Sequence, residues 1–288
     1  MAAIEPIDLS ARAALPRRSR FSGLLSVSLP DRLALAALGL VTFIAVLAPV
    51  LAPHDPRRQV GTPYASPSSA FPLGTDEAGR DMLSRVLLGV QTTWLTALLI
   101  IVIGVLIGGA VGLIAGAAGG LVDSGLMRIT DLFLAMPAAV LAISVVAAMG
   151  PSLTHIVIAV SILWWPYYAR LIRVQVRDLA ARPHLEAARL AGCKRRRLVL
   201  RHLLPGAVPV AIVAASLDMG GAIGLLAGLS FLGLGTPPPS PELGAMTATG
   251  STKMLTAWWL AVFPALAVFL LCLVSNVAGD TLRDLVDR

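Results

Sequence analysis

The sequence predicts an all-α polytopic membrane protein with six transmembrane helices and a helical loop between the fourth and the fifth. Three observations predict it. The chain has 288 residues, 57% hydrophobic and only 14% charged, with a mean hydropathy of +0.82. Its apolar residues fall in runs of about 20 or more, the length a helix needs to cross a hydrocarbon core. Its cations gather in a few intervening segments instead of spreading evenly. Residues 1–31 read as a polar segment and 32–288 as one membrane-embedded unit.

The first segment is Arg-rich (Arg12, Arg17, Arg18, Arg20) and leads into an apolar run over 33–52. That run is longer than the roughly 7 to 15 residues of a signal-peptide core, so it reads as an uncleaved span. A loop rich in Pro and Ser follows, from Pro53 to about Arg85. Within it Thr75 suits an N-cap with Asp76 and Glu77 in the first turn, which predicts a short amphipathic helix before span two. Span two, 92–118, carries Gly104, Gly108, Gly112 and Gly116, with Gly120 continuing the four-residue spacing. A small-residue stripe lets a neighbouring helix approach closely in lipid, either within the chain or at a subunit interface.

Span three is expected over 126–149, with Asp123 at its favourable N-terminal end. Arg128 and Asp131 lie three apart on it and are expected to pair; a transported-ion site is the competing reading. Span four, 153–172, contains Trp164-Trp165-Pro166-Tyr167-Tyr168, aromatics suited to a membrane interface and a proline that predicts a kink. Span five, 207–228, holds Asp218 in its interior with Gly220 and Gly224 on one stripe. An intramembrane carboxylate is a candidate pathway residue, and a structural hydrogen bond to a neighbouring helix is the alternative. Span six, 258–277, opens with the interfacial pair Trp258-Trp259.

Between spans four and five, residues 178–206 form the most basic, helix-favouring segment of the chain. Pro183 suits a first helical turn, Leu185 to Ala191 are good helix formers, Gly192 interrupts them, and a second helical run leads to Leu204-Pro205. The segment reads as helix, bend, helix. It offers small residues (Ala187, Ala188, Ala191, Gly192) beside Glu186 and a basic arm, a surface suited to docking another protein. The positive-inside bias puts this loop and both termini in the cytoplasm, with Arg57, Arg58, Arg80 and Arg85 in the loop after span one as exceptions. The run Lys194 to Arg197 reads first as an orienting, lipid-facing anchor and second as a protein contact.

Several classes are excluded. A formal charge of +7 and a pI near 10.4 would suit nucleic acid, but the placement of the cations follows membrane topology instead. No phosphate-binding GxxxxGK[ST] loop is present, since Lys194 and Lys253 lack the preceding glycines. His54, His155, His184 and His202 show no metal-ligand spacing, so no metal site is expected. Cys193 and Cys272 read as free thiols.

Glu186-Ala187-Ala188, Gly192 and Leu204-Pro205 resemble the EAA motif of ABC-importer permeases, and Arg201-His202 is similar to the dipeptide/oligopeptide/nickel branch. The string PLGTDEAGRDMLSR from Pro72 and the string LSFLGLG from Leu229, followed by Gly244-Ala-Met246, resemble the same branch. Where that branch commonly has Glu, this chain has Leu226. The resemblance implies a type I importer fold and a coupling role for Glu186, Ala187, Ala188, Gly192, Leu204 and Pro205. It implies a second homologous permease chain, two ABC ATPase subunits that bind ATP and Mg so that this chain carries no cofactor, an extracytoplasmic substrate-binding protein, and a bacterial cytoplasmic (inner) membrane. The implied function is half of an ATP-driven peptide pathway; nickel or another small solute is the alternative cargo. An ion-coupled carrier using Asp218 and a membrane scaffold are the readings from other classes.

Overall fold

In the computed structural model, residues 28–287 are described. The arginine-rich stretch containing Arg12, Arg17, Arg18 and Arg20 lies outside them. Among the described residues the only regular structure is helical, with a single isolated bridge between Thr75 and Asp81.

Helix α1 (Leu29–Leu51) starts where the Ser28 hydroxyl accepts the Asp31 N–H and Pro30 occupies the first turn. Helix α2 (Met82–Ala118) has 37 residues, about 55 Å, more than a hydrocarbon core requires. Its cap is Asp81. The expected helix after Thr75 does not form, because Gly74 and Gly79 hold φ of 76° and 71° and coil this segment into successive turns.

The expected third span is two helices, α3 (Gly120–Leu134) and α4 (Ala138–Met149), bent by 84°. Pro137 accounts for the break: it lacks an N–H and drives Met136 away from helical backbone. Helix α5 (Leu153–Ala180) continues through Pro166 and ends nearer the loop than expected. Then come α6 (Pro183–Leu190), a bend at Gly192 with φ 77°, and α7 (Arg195–Leu198). A π-helical turn, Val199–Leu203, joins α7 to α8 (Leu204–Phe231). Helices α9 (Leu243–Ser251) and α10 (Trp259–Asp287) complete the fold.

Five helices are long and apolar enough to cross a membrane, or six spans if α3 and α4 count as one. Large apolar side chains cover the outside of the bundle, among them Leu106, Ile212 and Phe269. Such a surface suits lipid, where helices satisfy their own backbone groups.

The glycines of α2 let it pack against the backbone of α5. A Cβ on Gly108 or Gly112 would overlap backbone oxygens of α5, and one on Gly116 would lie 2.8 Å from Val176 Cγ1. Gly104 faces Trp164 and Tyr168. A second core joins Trp94 and Ile101 of α2 to Met219 and Ile223 of α8 and Leu271 of α10. Gly220 backs onto Asn276 of α10, whereas Gly224 meets no atom within 4 Å.

Candidate functional site

At one end of the bundle the loop after α5 presents an exposed surface. Leu185 is the one buried residue of α6; it joins Val176, Leu179, Leu198 and Leu203 in a small core beneath the helix. Glu186 and Ala187 are exposed, Ala188 is half-buried, and Leu190 is 86% exposed. Gly192 takes the left-handed backbone that turns the chain, and a groove of about 560 Å³ opens among Ala188, Gly192, Lys194, Arg197 and His202. Leu204 and Pro205 form the first turn of α8, with Leu204 39% exposed. Arg195 donates at 2.6 Å to the Ala117 carbonyl at the end of α2, a cation on the negative end of a helix.

Above this surface two sets of ion pairs fasten α3 to α5. Asp123, buried in the first turn of α3, takes both Arg173 and Arg177, with Arg173 Nη2 at 2.7 Å and Arg177 Nη2 at 2.9 Å from Oδ2. Asp131 pairs with Arg170, not with Arg128. The expected local pair gives way because Arg170, one helix away, reaches the same carboxylate.

Asp218 lies midway along α8, half-buried, facing Trp164 and Tyr168 of α5, with Tyr167 near enough to feel its charge. Tyr168 is completely buried, and it and Trp164 are the groups that face the Asp218 carboxylate from α5. Leu226, two turns further on, is buried against Ile100, Val146 and Ile156, so an apolar residue fits there.

The opposite end is closed by a polar knot. Asp76 Oδ1 accepts the N–H groups of Ala78 and Arg80 at 2.9 Å, its Oδ2 accepts from Arg80 Nε at 2.6 Å, and Arg85 Nε lies 3.2 Å from the same oxygen as an ion pair. Arg80 also reaches Glu77 at 2.6 Å. Asp81 caps α2 through Ser84 and lies 3.4 Å from His54 Nδ1. Thr75 joins strands of the loop, donating to the Thr62 carbonyl and accepting from Ala65, while Trp259 of α10 donates to the Thr75 carbonyl at 3.2 Å. Arg85 donates to the carbonyls of Pro56 and Pro239, tying this loop to the turn before α9. In that turn Glu242 is buried, accepting from Ser230 Oγ and, at 2.9 Å, from the Thr236 N–H. Burial holds its carboxyl above the usual range despite both hydrogen bonds. Sequence reasoning missed Glu242; the signal available was a lone acid between a proline-rich turn and an apolar helix.

Five or six apolar spans, with a buried polar knot at one end and a short exposed helix at the other, define an integral membrane protein. A family model described as "Binding-protein-dependent transport system inner membrane component" matches residues 108–288. The chain belongs to this family. It is 40% identical to the di/tripeptide transport system permease protein of Pseudomonas aeruginosa, over 86% of this chain and 84% of the relative. It is also 40% identical to the glutathione transport system permease protein of Pectobacterium atrosepticum, over 86% and 83%. Identity to the dipeptide transport system permease protein of Haemophilus influenzae is 36%, over 86% of both chains.

Proposed function

We propose that this chain is one permease subunit of an ATP-driven importer, forming half of the pathway by which di- or oligopeptides cross a bacterial inner membrane. The observation that carries the reading is α6: a helix held by one buried leucine, its small and acidic residues facing outward at the end of α5. Glu186, Ala187, Ala188 and Gly192 meet an ATPase subunit there, and Leu204-Pro205 passes its displacement into α8. Two such ATPase subunits hydrolyse ATP, a second permease chain completes the pathway, and an extracytoplasmic binding protein delivers cargo. The α6 end and both termini then lie in the cytoplasm, and the polar knot faces outward. Peptides are the cargo printed in the names of the Pseudomonas aeruginosa and Haemophilus influenzae relatives.

Tagging the chain at its C-terminus and isolating it gently from its native membrane tests the assembly. Mass spectrometry is expected to find a second permease chain and ATPase subunits; recovery of this chain alone, with uptake driven by an ion gradient, sinks the proposal. Gly192→Trp tests the coupling. A bulky residue at φ 77° strains the bend, so ATP hydrolysis should continue while uptake collapses. Normal uptake in that variant removes α6 from the mechanism.

A further inference from the structure

Non-helical backbone inside a bilayer needs a polar neighbour, because lipid tails offer no hydrogen bonds. The break between α3 and α4 is such a stretch. α4 runs 12 residues, about 18 Å, from the break to Gly150. In the last turn of α3 the Phe133 ring stands edge-on to Trp165 with centroids 5.6 Å apart, and Trp165 lies about 18 Å along α5 from Leu153. Both measures put the break near the middle of a hydrocarbon core about 30 Å thick.

At that depth the backbone is open. Met136 donates its N–H to the Phe133 carbonyl and Leu141 to the Pro137 carbonyl, but among the described residues no backbone N–H reaches the carbonyls of Ala135 and Met136. Pro137 has no N–H to give, and the 84° bend interrupts the helical ladder. Nor does the rest of the chain cover the gap: Leu134 to Val140 are all exposed. Open carbonyls against acyl chains are costly.

The surface that leads to the break is charged. Arg128, Asp131 and Ala135 follow one another at three- and four-residue spacing, so they share one face of α3, and all three are exposed. Asp131 and its partner Arg170 each keep more than half of the side chain exposed. Charges on an open face do not sit against lipid tails. A second chain covering the face dry would leave the two carbonyls as unpaired as lipid does. Water meets both demands.

We infer that the break from Leu134 to Pro137 lines the water-filled pathway of the peptide cargo and presents the carbonyls of Ala135 and Met136 to the cargo's N–H groups. A backbone acceptor takes an ammonium or amide N–H without reading the side chains beside it. This rests on the reading of the chain as a peptide permease.

The test uses the assembled importer in proteoliposomes with its binding protein, carrying Ala135→Cys or Met136→Cys. A charged, membrane-impermeant methanethiosulfonate is supplied on both faces of the membrane. Mass spectrometry reads modification at the introduced position separately from Cys193 and Cys272. Each introduced thiol should react at least about tenfold faster than Phe269→Cys on the lipid-facing side of α10, because a hydrated thiol ionises and one in lipid does not. Saturating dipeptide during ATP-driven turnover should slow the reaction several-fold, and modification should stop import while the wild type treated alike continues. Reaction no faster than at Phe269→Cys overturns the inference and sets the break against lipid or another chain. Reaction that dipeptide does not slow, with import intact, overturns it as well. Both side chains are exposed, so neither substitution removes packing, and if one variant fails to assemble the other decides. Wild-type importer that hydrolyses ATP yet imports no dipeptide overturns the peptide reading and the cargo named here, whereas reaction rates without cargo decide separately whether the break faces water.

Discussion

Residues 53–85 and the segment from Pro183 to Leu204 sit at opposite ends of the same helices and draw on similar residues, arginines, acids and short helix formers. At the first end the buried charged groups are consumed internally: Asp76 holds Arg80 and Arg85, and Asp81 holds Ser84. At the second end the small and acidic surface of α6 is left facing outward, and of that helix only Leu185 is buried. The difference teaches where this molecule needs partners. A region whose hydrogen bonds close on themselves keeps its shape alone; a short helix with one buried residue has too little tertiary packing to fix it and takes its position from what docks on it.

The comparison can be broken most severely at Asp76. Asp76→Ala removes the carboxylate shared by two buried guanidinium groups, leaving Arg80 only the part-exposed Glu77 and Arg85 only backbone carbonyls, and should cost about 3–5 kcal/mol. A large drop in the thermal midpoint of the purified protein is the expected readout; a drop of under a degree would mean the knot is not what holds that end. Asp81→Ala removes the α2 cap and should cost about 1–2 kcal/mol on the same assay.

A smaller, pH-dependent effect is expected from Glu242. Its folded-state carboxyl titrates above the ordinary range because it is buried, so the folded protein binds this proton more tightly than the unfolded chain does. The stability it contributes is complete below the unfolded value of about 4.3 and is lost as pH rises through the raised value. The thermal midpoint of the wild type relative to Glu242→Gln should therefore fall with rising pH across that window. A constant difference would mean that Glu242 titrates normally.

The smallest effect on stability sharpens the contrast. Leu190 is 86% exposed, so Leu190→Ser should change stability by less than about 0.5 kcal/mol. It should nevertheless weaken recovery of ATPase subunits with the tagged chain. If stability falls and recovery does not, α6 is part of the packed core after all.

Spans were legible in the sequence because lipid demands continuous apolar runs, and the Gly104–Gly116 stripe was legible because its spacing repeats the helix. The bend at Gly192 announced itself through a glycine between two helix-forming runs. Long-range chemistry did not announce itself. Arg173 finds Asp123 across 50 residues and Arg170 finds Asp131 across 39, and neither separation is a local rule. The break at Pro137 was readable in principle, but hydropathy averages over a proline, so one apolar run concealed two helices at 84°. Thr75 misled for a related reason: cap-like residues also build turns, and the glycines on either side chose the turn.

The close seating of α2 on α5 sets the angular gain of the machine. With Gly108 and Gly112 against its backbone, α5 is seated too closely on α2 to slide freely past it. α5 has 28 residues. At about 1.5 Å per residue that helix is about 42 Å long, so a 2 Å push at α6 tilts it by only about 3° about its far end. Any displacement that α5 carries from the α6 end therefore reaches its far end as a small change of angle.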